Sequence, residues 1–600
     1  MQKIRERKEI DPAFTWDLTT LYADDASWER EFAKLEGAEE KAASYGGTLN
    51  SADAVLSFLE WDTELGRRLS DLFVYASLRH SEDTRASDAQ GMYARIYSRY
   101  VKIAAASAFA EPEILSLEED ALVSLAADPK LAGYRFYLEK LIRSKPHMLS
   151  AREEVLLSSF GEAFGVSKQV ADALRDADLV FEDAVDSEGE RHPVTESAYI
   201  PLEMSADRKL RESAFRSYYK TYRQHIHTFS AAYSGSLKTS AAEAQVRGYG
   251  SAREMSLAGN HIPLSVYDNL ITSVRSRMDL MYRYLKLRKR ILKTEELHYY
   301  DVYAPLSSGS SASYTYEQAQ QMVLDAVSPL GEAYVSRVRQ AYKERWIDVY
   351  PNAGKSSGAY SSGTYDSNPF ILINFSGTLD SVSTLAHEMG HSQHTWLTNH
   401  TQPPQYGDYS LFVAEVASTV NENLLIEQLL ADTTEPHERL ALLNQYLEGF
   451  KGTVYRQTMF AEFEKEAHGM AERGESCDAE SLSALYERLI RDYFGDTLVM
   501  DEEIKYEWAR IPHFYRPFYV YVYATGYTSA AALSEAILKE GDSAVERYLE
   551  FLSLGGSMDP LDELRHAGVD LKTPEPIDRA LDKFEAVLED AEKTADALGL

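Results

Sequence analysis

Residues 384–394 read Thr384-Leu-Ala-His-Glu-Met-Gly-His-Ser-Gln-His394 and contain two histidines four positions apart. The stretch is predicted to lie on a helix, because Thr378 or Asp380, a few residues before it, can cap the start of that helix. An apolar side for this helix is supplied by Val382, Leu385, Ala386 and Met389. Residues i and i+4 of a helix lie on one face, so the two histidines are expected to point in the same direction.

The pattern H-E-x-x-H is typical of a zinc site with a base beside it. His387 and His391 can hold one ion between their imidazoles, and neutral imidazole is a good zinc ligand. Glu388 lies beside the same face and can be close to the ion without ligating it. Zinc lowers the pKa of bound water to about 7, and a neighbouring carboxylate can take the proton and later pass it to a leaving amine. The alternative interpretation is an ordinary helix with two partly exposed histidines.

A catalytic zinc site takes three protein ligands, so one more ligand is expected outside the motif. Glu415 is the best candidate, because it is embedded in the apolar, small-residue sequence Leu411-Phe-Val-Ala-Glu-Val-Ala-Ser418. A buried glutamate is costly unless it is paired or bound to a metal. Glu422, two turns further along the same face, is either a support for the site or an ordinary exposed or paired residue. His394 lies near the motif but does not easily replace a distant ligand.

The composition is that of an acidic globular protein. Its 600 residues exceed one compact core, so two or more lobes are expected. The formal net charge of −33 argues against nucleic acid and anionic membranes as partners. No apolar run is long enough for a transmembrane helix, and the charged start Met1-Gln-Lys-Ile-Arg5 argues against a signal peptide. The single cysteine, Cys477, is interpreted as a bystander and favours a reducing, cytoplasmic location.

The remaining pattern predicts a mainly α chain with one small sheet next to the metal helix. The expected elements are helices over 23–175, 206–247, 263–292 and most of the chain after 375, a hairpin turn at Asp186-Ser-Glu-Gly189 and a loop at 307–313. Phe370-Ile-Leu-Ile-Asn-Phe375 follows a stretch rich in Gly, Ser and Tyr and has the length of a strand. It is interpreted either as a buried strand or as an edge strand that pairs with a substrate backbone.

These motifs resemble the thimet oligopeptidase-like zinc metallopeptidases, and most closely their oligoendopeptidase F branch. The resemblance covers most of the chain and is carried by His387-Glu-Met-Gly-His391, Ala414-Glu-Val-Ala-Ser418, Ser357-Gly-Ala-Tyr-Ser-Ser362, Phe370-Ile-Leu-Ile-Asn374 and Thr15-Trp-Asp-Leu18. It implies one zinc per chain held by His387, His391 and Glu415, with Glu388 as general base. It also implies a zincin-type fold with two helical halves around a deep channel. We accordingly expect an N-terminal helical region at 1–200 and the zinc metallopeptidase catalytic region at 201–600.

The same family uses a histidine and tyrosines late in the chain to stabilise the reacting carbonyl. His513 and a tyrosine hydroxyl can donate hydrogen bonds to a developing oxyanion. Tyr515, Tyr519 and Tyr523 are spaced by four residues, so a helix begun or kinked by Pro517 would place all three on one side. Other possible donors are Tyr521 and Tyr527, and the alternative interpretation is an aromatic packing stripe.

The sequence therefore predicts a zinc-dependent endopeptidase that hydrolyses internal bonds of short, unstructured peptides. Its partners are expected to be oligopeptide substrates, with no nucleic acid and no membrane, and no feature predicts an oligomeric state. Two alternatives remain open. A dipeptidyl carboxypeptidase-type exopeptidase needs a basic residue for the terminal carboxylate, and an inactive peptide-binding scaffold has no need of a base beside two metal ligands.

Overall fold

The computed structural model describes residues 5–306 and 313–600, and within these ranges the chain is mainly α-helical. The predicted fold class is therefore confirmed. Except for Ser313, the loop predicted at 307–313 lies outside the described residues. No helix in the described ranges combines the length and the apolar character that crossing a membrane requires.

The helices are distributed along almost the whole chain, as the sequence predicts. From the N-terminus to residue 246 they are α1 (Asp25–Ala33), α2 (Ala38–Ala43), α3 (Ala52–Glu82), α4 (Ser87–Ser107), α5 (Ala110–Leu115), α6 (Glu119–Ala127), α7 (Arg135–Ser144), α8 (Ala151–Ser159), α9 (Gly161–Ala173), α10 (Glu196–Glu203) and α11 (Arg208–Val246). The next are α12 (Ala252–Ala258), α13 (Leu264–Ser276), α14 (Met278–Ile291), α15 (Tyr316–Ala326), α16 (Glu332–Lys343), α17 (Leu379–Thr401) and α18 (Ala414–Asp432). The last are α19 (Pro436–Phe450), α20 (Arg456–Glu472), α21 (Ala479–Phe494), α22 (Tyr521–Glu540), α23 (Asp542–Phe551), α24 (Pro560–His566) and α25 (Glu575–Ala597).

The described strands are short and form three small sheets. They are β1 (Ala184–Val185), β2 (Arg191–His192), β3 (Leu297–His298), β4 (Ile347–Asp348), β5 (Tyr360–Ser362), β6 (Phe370–Leu372) and β7 (Leu498–Val499). Strands β1 and β2 form the predicted antiparallel hairpin, and β3 pairs with β7 in parallel. The third sheet has the order β4-β6-β5, with β4 parallel and β5 antiparallel to β6.

This order decides between the two interpretations of the apolar run at 370–375. Strand β6 is the central strand of its sheet, and all three of its residues are buried. Its backbone groups are used by β4 on one side and β5 on the other, so the edge-strand interpretation is wrong. The two edges are formed by β4 and β5. Strand β5 lies in the Ser- and Tyr-rich stretch before β6, and Ser361 Oγ lies 2.9 Å from Ser392 Oγ of α17.

The chain divides into two compact units, each assembled from three separate stretches. Unit 1 comprises Met1–Met148, Ala312–Leu425 and Leu533–Gly568, and unit 2 comprises Leu149–Ser311, Ile426–Ala532 and Val569–Leu600. These units are defined by packing, whereas the expected boundary at residue 200 separates a non-catalytic from a catalytic region. That boundary stays a prediction.

Each unit has an apolar core built on its long helices. In unit 1, the fully buried Trp28 of α1 packs with residues of α3 and α4, and its indole N–H donates to Leu72 O at 2.8 Å. In unit 2, the 39-residue helix α11 buries a row of tyrosines that includes Tyr218, Tyr222 and Tyr233. Large aromatic side chains supply much of the buried area in both cores.

Helix α17 carries the H-E-x-x-H motif and starts where the sequence predicts. Thr378 is its N-cap, with extended backbone angles and a side-chain oxygen that accepts the Ser381 N–H at 3.2 Å. The apolar side predicted for this helix is fully buried. Its C-terminal half is held within unit 1 by Thr398, whose hydroxyl donates to Leu552 O at 3.1 Å.

Helices α17 and α18 lie very close together where Gly390 faces α18. A Cβ atom built on Gly390 would lie 2.5 Å from Ala417 O and 2.6 Å from Ser418 Cα. Asn421 Nδ2 also donates to Ala386 O at 3.1 Å, so a side chain of α18 is bonded to the backbone of α17. Only glycine permits this separation, and the separation brings the start of α18 to the histidine face of α17.

We predict that Gly390→Ala destabilises unit 1, because its methyl group must force two helix backbones apart. Overpacking of this kind costs about 1–3 kcal/mol. The Tm of the purified variant, measured by calorimetry, is expected to fall accordingly. The matched control is Gly66→Ala, since Gly66 is exposed in the middle of α3 and an added Cβ there would meet no atom within 4 Å. That change is expected to be neutral or to stabilise by up to about 1 kcal/mol. A Gly390→Ala variant as stable as the wild type would contradict the tight-contact interpretation.

Candidate active site

Three candidate ligand atoms meet on the α17–α18 surface of unit 1. His387 Nε2 and His391 Nε2 are 3.2 Å apart, as expected for residues four apart on one helix face. Glu415 Oε2, from the first turn of α18, lies 3.5 Å from the first and 3.6 Å from the second. The point equidistant from the three atoms lies about 2 Å from each, which is the length of a zinc–nitrogen or zinc–oxygen bond.

The donor set fits a divalent cation better than it fits hydrogen bonding alone. Two imidazole Nε2 atoms and one carboxylate oxygen face a single point, and protons cannot satisfy all three in good geometry at once. Although burial lowers it, the hydrogen bond and charge of Glu422, with Glu388 and Glu415, raise the pKa of His387 to about 9. The pKa of Glu415 is lowered, chiefly by its hydrogen bond to His391. The surroundings thus favour positive charge at this point.

Glu415 is less buried than the sequence suggests. Its side chain is 38% exposed, whereas Val416 and Ala417 beside it are fully buried. The expectation of a buried carboxylate is therefore wrong. The apolar residues around Glu415 pack the other sides of α18, while the first turn directs this carboxylate at the two histidines.

Glu422 lies beside the imidazole of His387. Its Oε1 lies 3.5 Å from His387 Nδ1 and accepts a hydrogen bond from Ser383 Oγ at 3.4 Å. A carboxylate on Nδ1 places the imidazole hydrogen there and leaves Nε2 as the electron-pair donor that faces Glu415. The proposed supporting position of Glu422 thus agrees with the geometry.

Glu388 is the buried carboxylate of the motif. It is 5% exposed, and its Oε2 has no hydrogen-bond partner among the described residues. Burial raises its pKa, and the neighbouring charges of His387 and His391 act in the opposite direction. An unpartnered buried oxygen is costly to stability and is available to accept a proton.

His394 has a packing role on the far side of the motif. Its ring is 1% exposed and stacks on Tyr409 at a centroid distance of 3.6 Å, nearly parallel to it. Phe551 packs against the same ring at 5.4 Å. Burial lowers the pKa of His394 to about 3. Its ring is thus engaged by two aromatic neighbours, and it is not part of the three-atom group.

The second set of candidate residues lies in unit 2. Tyr523 Oη is 3.5 Å from His513 Nε2, and the Tyr519 and Tyr523 rings are in edge contact at 5.4 Å. The rings of His513 and Tyr519 are parallel at 6.5 Å. Arg516, which the sequence analysis did not single out, lies over the Tyr519 ring at 3.9 Å. Burial and Arg516 together lower the pKa of His513.

The prediction that Tyr515, Tyr519 and Tyr523 share one helix face is wrong. Tyr515 ends a short 3-10 helix at Pro512–Tyr515, and α22 begins only at Tyr521. The chain turns between them because Pro517 cannot donate a backbone hydrogen bond and Phe518 has a φ of +55°. Tyr515 packs on Tyr233, with ring centroids 5.8 Å apart. The four-residue spacing of the tyrosines does not reveal a turn between them.

The alternative tyrosines are engaged in packing contacts elsewhere in unit 2. Tyr521 is 3% exposed and lies 5.0 Å from the Tyr267 ring. Tyr527 makes an edge contact with Phe450 at 5.6 Å. Tyr519 and Tyr523, by contrast, place their rings against His513.

Comparison with known proteins gives a consistent assignment across the chain. Residues 202–583 match the model of Peptidase family M3, and residues 113–181 match that of Oligopeptidase F. The chain is 42% identical to Oligopeptidase PepF of Bacillus subtilis over 98% of this chain and 88% of that protein. It is 41% identical to Group B oligopeptidase PepB of Streptococcus agalactiae over 98% of both.

A solved structure gives the same result for the fold. The crystal structure of oligoendopeptidase-F from Enterococcus faecium is 36% identical and superposes with a TM-score of 0.75, covering 96% of this chain and 99% of that one. Both the sequence matches and this structural likeness extend over nearly the full chain. The chain therefore belongs to peptidase family M3 and is a metallo-oligopeptidase.

Proposed function

We propose that the protein is a zinc-dependent endopeptidase that hydrolyses internal bonds of short, unstructured peptides. The observation that carries this proposal is the group of His387, His391 and Glu415, whose ligand atoms lie 3.2–3.6 Å from one another beside the buried Glu388. We further propose that residues 201–600 form the catalytic region, which the extent of the family match at 202–583 supports.

His387, His391 and Glu415 would hold one zinc ion per chain. Two neutral imidazoles and one carboxylate are a donor set typical of catalytic zinc, which keeps a position open for water or substrate. When bound, the ion supplies Lewis-acid polarisation of the scissile carbonyl and a lowered pKa for the attacking water. Glu422 keeps the proton of His387 on Nδ1 and so keeps Nε2 available.

Glu388 acts as the general base. Its Oε2, buried and without a hydrogen-bond partner among the described residues, takes the proton of the attacking water. The same oxygen then gives the proton to the leaving amine. Burial holds the pKa of this carboxyl above its ordinary value, which makes it a stronger base than an exposed glutamate.

His513 and a tyrosine hydroxyl donate hydrogen bonds to the carbonyl oxygen as negative charge develops on it. Tyr519 and Tyr523 are favoured for this role, because both contact His513 in unit 2. Tyr515 shares the four-residue spacing, but its contact with Tyr233 supports a packing role for its ring. Arg516 lies over the face of the Tyr519 ring and makes a cation–π contact that helps to hold the ring in place.

The substrate class is proposed from the relatives and from the site together. Two relatives are named as oligopeptidases and one as an oligoendopeptidase, and these names refer to activities of those proteins. We extend both descriptions to this chain. The inactive-scaffold alternative leaves Glu388 without a purpose, since burying a carboxylate beside two ligands costs stability. The exopeptidase alternative is separated from the proposal by the peptide experiment below.

The first prediction concerns metal binding. Wild-type protein is expected to contain about one zinc per chain by elemental analysis. Glu422→Ala is expected to weaken zinc binding by about 10–100-fold, because it removes only the support of His387. Glu415→Ala removes a ligand and is expected to weaken binding more than that. Competition with a chromophoric chelator measures both variants, and wild-type affinity in Glu415→Ala would move the third ligand elsewhere.

The second prediction concerns the base. Glu388→Gln is expected to retain zinc and Tm but to lower kcat by about 100- to 10,000-fold, because the amide cannot take a proton. The matched control is Asp380→Asn, which removes an exposed carboxylate from the first turn of the same helix and should leave kcat unchanged. Turnover of a fluorogenic peptide provides the measurement. Retained activity in zinc-loaded Glu388→Gln would rule out this residue as the base.

The third prediction concerns the substrate. Peptides that are N-acetylated and C-amidated should be cleaved at internal bonds, whereas a small, stably folded domain should remain intact. Longer peptides should be cleaved faster than tripeptides, since binding energy on both sides of the scissile bond can be used in the transition state. Mass spectrometry of the digests identifies the bonds. Failure to cleave doubly blocked peptides would favour the exopeptidase, and digestion of the folded domain would contradict the oligopeptidase assignment.

A further inference from the structure

The segment that carries His513 and Tyr519 contains a left-handed turn at Phe518. This residue has a φ of +55°, a conformation that is unfavourable for a side chain with a Cβ and a large ring. Pro517 precedes it, and Tyr519 follows directly. Phe518 is 3% exposed, so the turn lies within the core of unit 2 and not on its surface. Such a conformation persists only where surrounding contacts hold it.

Two side chains of unit 2 hold the backbone of this turn. Phe518 N–H donates to Glu464 Oε1, from α20, at 3.0 Å. Ser256 Oγ, from α12, donates to Pro517 O at 2.9 Å. The two contacts fix the backbone on either side of the same peptide bond, and together they determine the direction in which the chain leaves the turn.

The ring of Phe518 is held as well. It lies 4.5 Å from the His468 ring and 5.8 Å from the Tyr267 ring. His468 is 2% exposed, and within the described ranges neither of its ring nitrogens has a hydrogen-bond partner. It therefore acts here as an aromatic packing surface one helical turn beyond Glu464 on α20.

Glu464 is a costly residue for this position. It is fully buried, and its second oxygen, Oε2, has no hydrogen-bond partner in the described part of the chain. Burial raises the pKa of the carboxyl well above its ordinary value. An apolar side chain of similar size would fill the same space without burying a polar group. The hydrogen bond that Oε1 accepts from the Phe518 N–H explains why a carboxyl group is buried at this position.

The left-handed turn at Phe518 also determines where the Tyr519 ring lies. That ring is parallel to His513 at 6.5 Å and in edge contact with Tyr523 at 5.4 Å. Because Tyr519 directly follows Phe518, a rotation of the Phe518 backbone would carry the Tyr519 side chain away from both. The contacts of α20 with the turn therefore act on the His513–Tyr519 pair through one peptide unit.

We propose that Glu464 is a positioning residue for the peptidase reaction, because it holds the Phe518 turn and thereby the direction of Tyr519 towards His513. The inference rests on the proposed role of His513 and Tyr519 as hydrogen-bond donors to the substrate carbonyl. The hydrogen bond of Glu464 is made to the backbone of Phe518, and the carboxyl acts on the His513–Tyr519 pair through that backbone.

The test compares Glu464→Leu, which removes the acceptor, with Glu464→Gln, which keeps a carbonyl oxygen in the same place. In the zinc-loaded full chain, Glu464→Leu is expected to lower kcat by about 100-fold with little change in KM, since a displacement of about 1 Å in a donor has that effect. Glu464→Gln is expected to restore most of the lost kcat. The control is Glu466→Leu, the same chemical change two residues along α20 at a half-buried site paired with Arg488.

Hydrogen exchange provides a readout that does not depend on activity. Peptides that contain the Phe518 amide are expected to exchange faster in Glu464→Leu than in the wild type, Glu464→Gln or Glu466→Leu. Zinc content is expected to stay at the wild-type value in all of them. A purely structural role would lower Tm and yield but leave kcat per zinc-loaded molecule unchanged.

Three results would overturn the proposal. They are wild-type kcat in Glu464→Leu, equal loss of kcat in Glu464→Gln and Glu464→Leu, and unchanged exchange at Phe518 in Glu464→Leu. Failure of the proposed donors gives a different result, because His513→Phe and Tyr519→Phe would then keep wild-type kcat. In that case the donor assignment fails, while the exchange measurement still reports whether Glu464 holds the turn.

Discussion

The close approach of two helix backbones at Gly390 is the constraint on which the candidate metal site depends. Glu415, the candidate third ligand, comes from a different helix and must reach the same point as the two histidines. Ala417 O and Ser418 Cα occupy the space that any side chain at position 390 would need. Because the two helices are this close together, the first turn of α18 places the Glu415 carboxylate next to the two Nε2 atoms. The motif H-E-x-x-H therefore depends on its fourth residue for packing as much as on its histidines for donor atoms.

Two buried carboxyl groups, one in each unit, lower the stability of the fold and lie where a proposed function needs an acceptor. Glu388 and Glu464 are both buried with one unpartnered oxygen in the described part of the chain. Other buried charges are paired, as in Glu507, which Arg456 and Arg510 contact at 2.6 and 3.3 Å and which accepts a hydrogen bond from Tyr486. This contrast supports the roles that we propose for Glu388, as an acceptor of a proton, and for Glu464, as an acceptor of the Phe518 N–H.

The fold class and the metal-helix geometry could be predicted from the sequence because they depend on local rules. Helix periodicity, the Thr378 cap and the i, i+4 spacing of His387 and His391 act within a few residues of one another. Glu415 was found because a carboxylate is out of place in an apolar, small-residue sequence. The position of β6 could not be predicted, since strand order depends on residues far apart in sequence. The failure at Tyr515, Tyr519 and Tyr523 has the same origin, because the left-handed Phe518 is held by Glu464 and Ser256 from distant helices.

The assembly of each unit from three separate stretches has a consequence for biosynthesis. The histidine pair is translated by residue 391, yet helix α17 is held by Leu552 and Phe551 from the third stretch of unit 1. A nascent chain that has left the ribosome up to Glu415 therefore contains His387, His391 and Glu415. It lacks the residues of the third stretch that pack against α17. Domains fold as units during synthesis, so this unit can close only after its last stretch has emerged. We therefore expect proteolytic competence to arise only after Gly568 has emerged, when the chain that carries it is itself no longer an extended peptide.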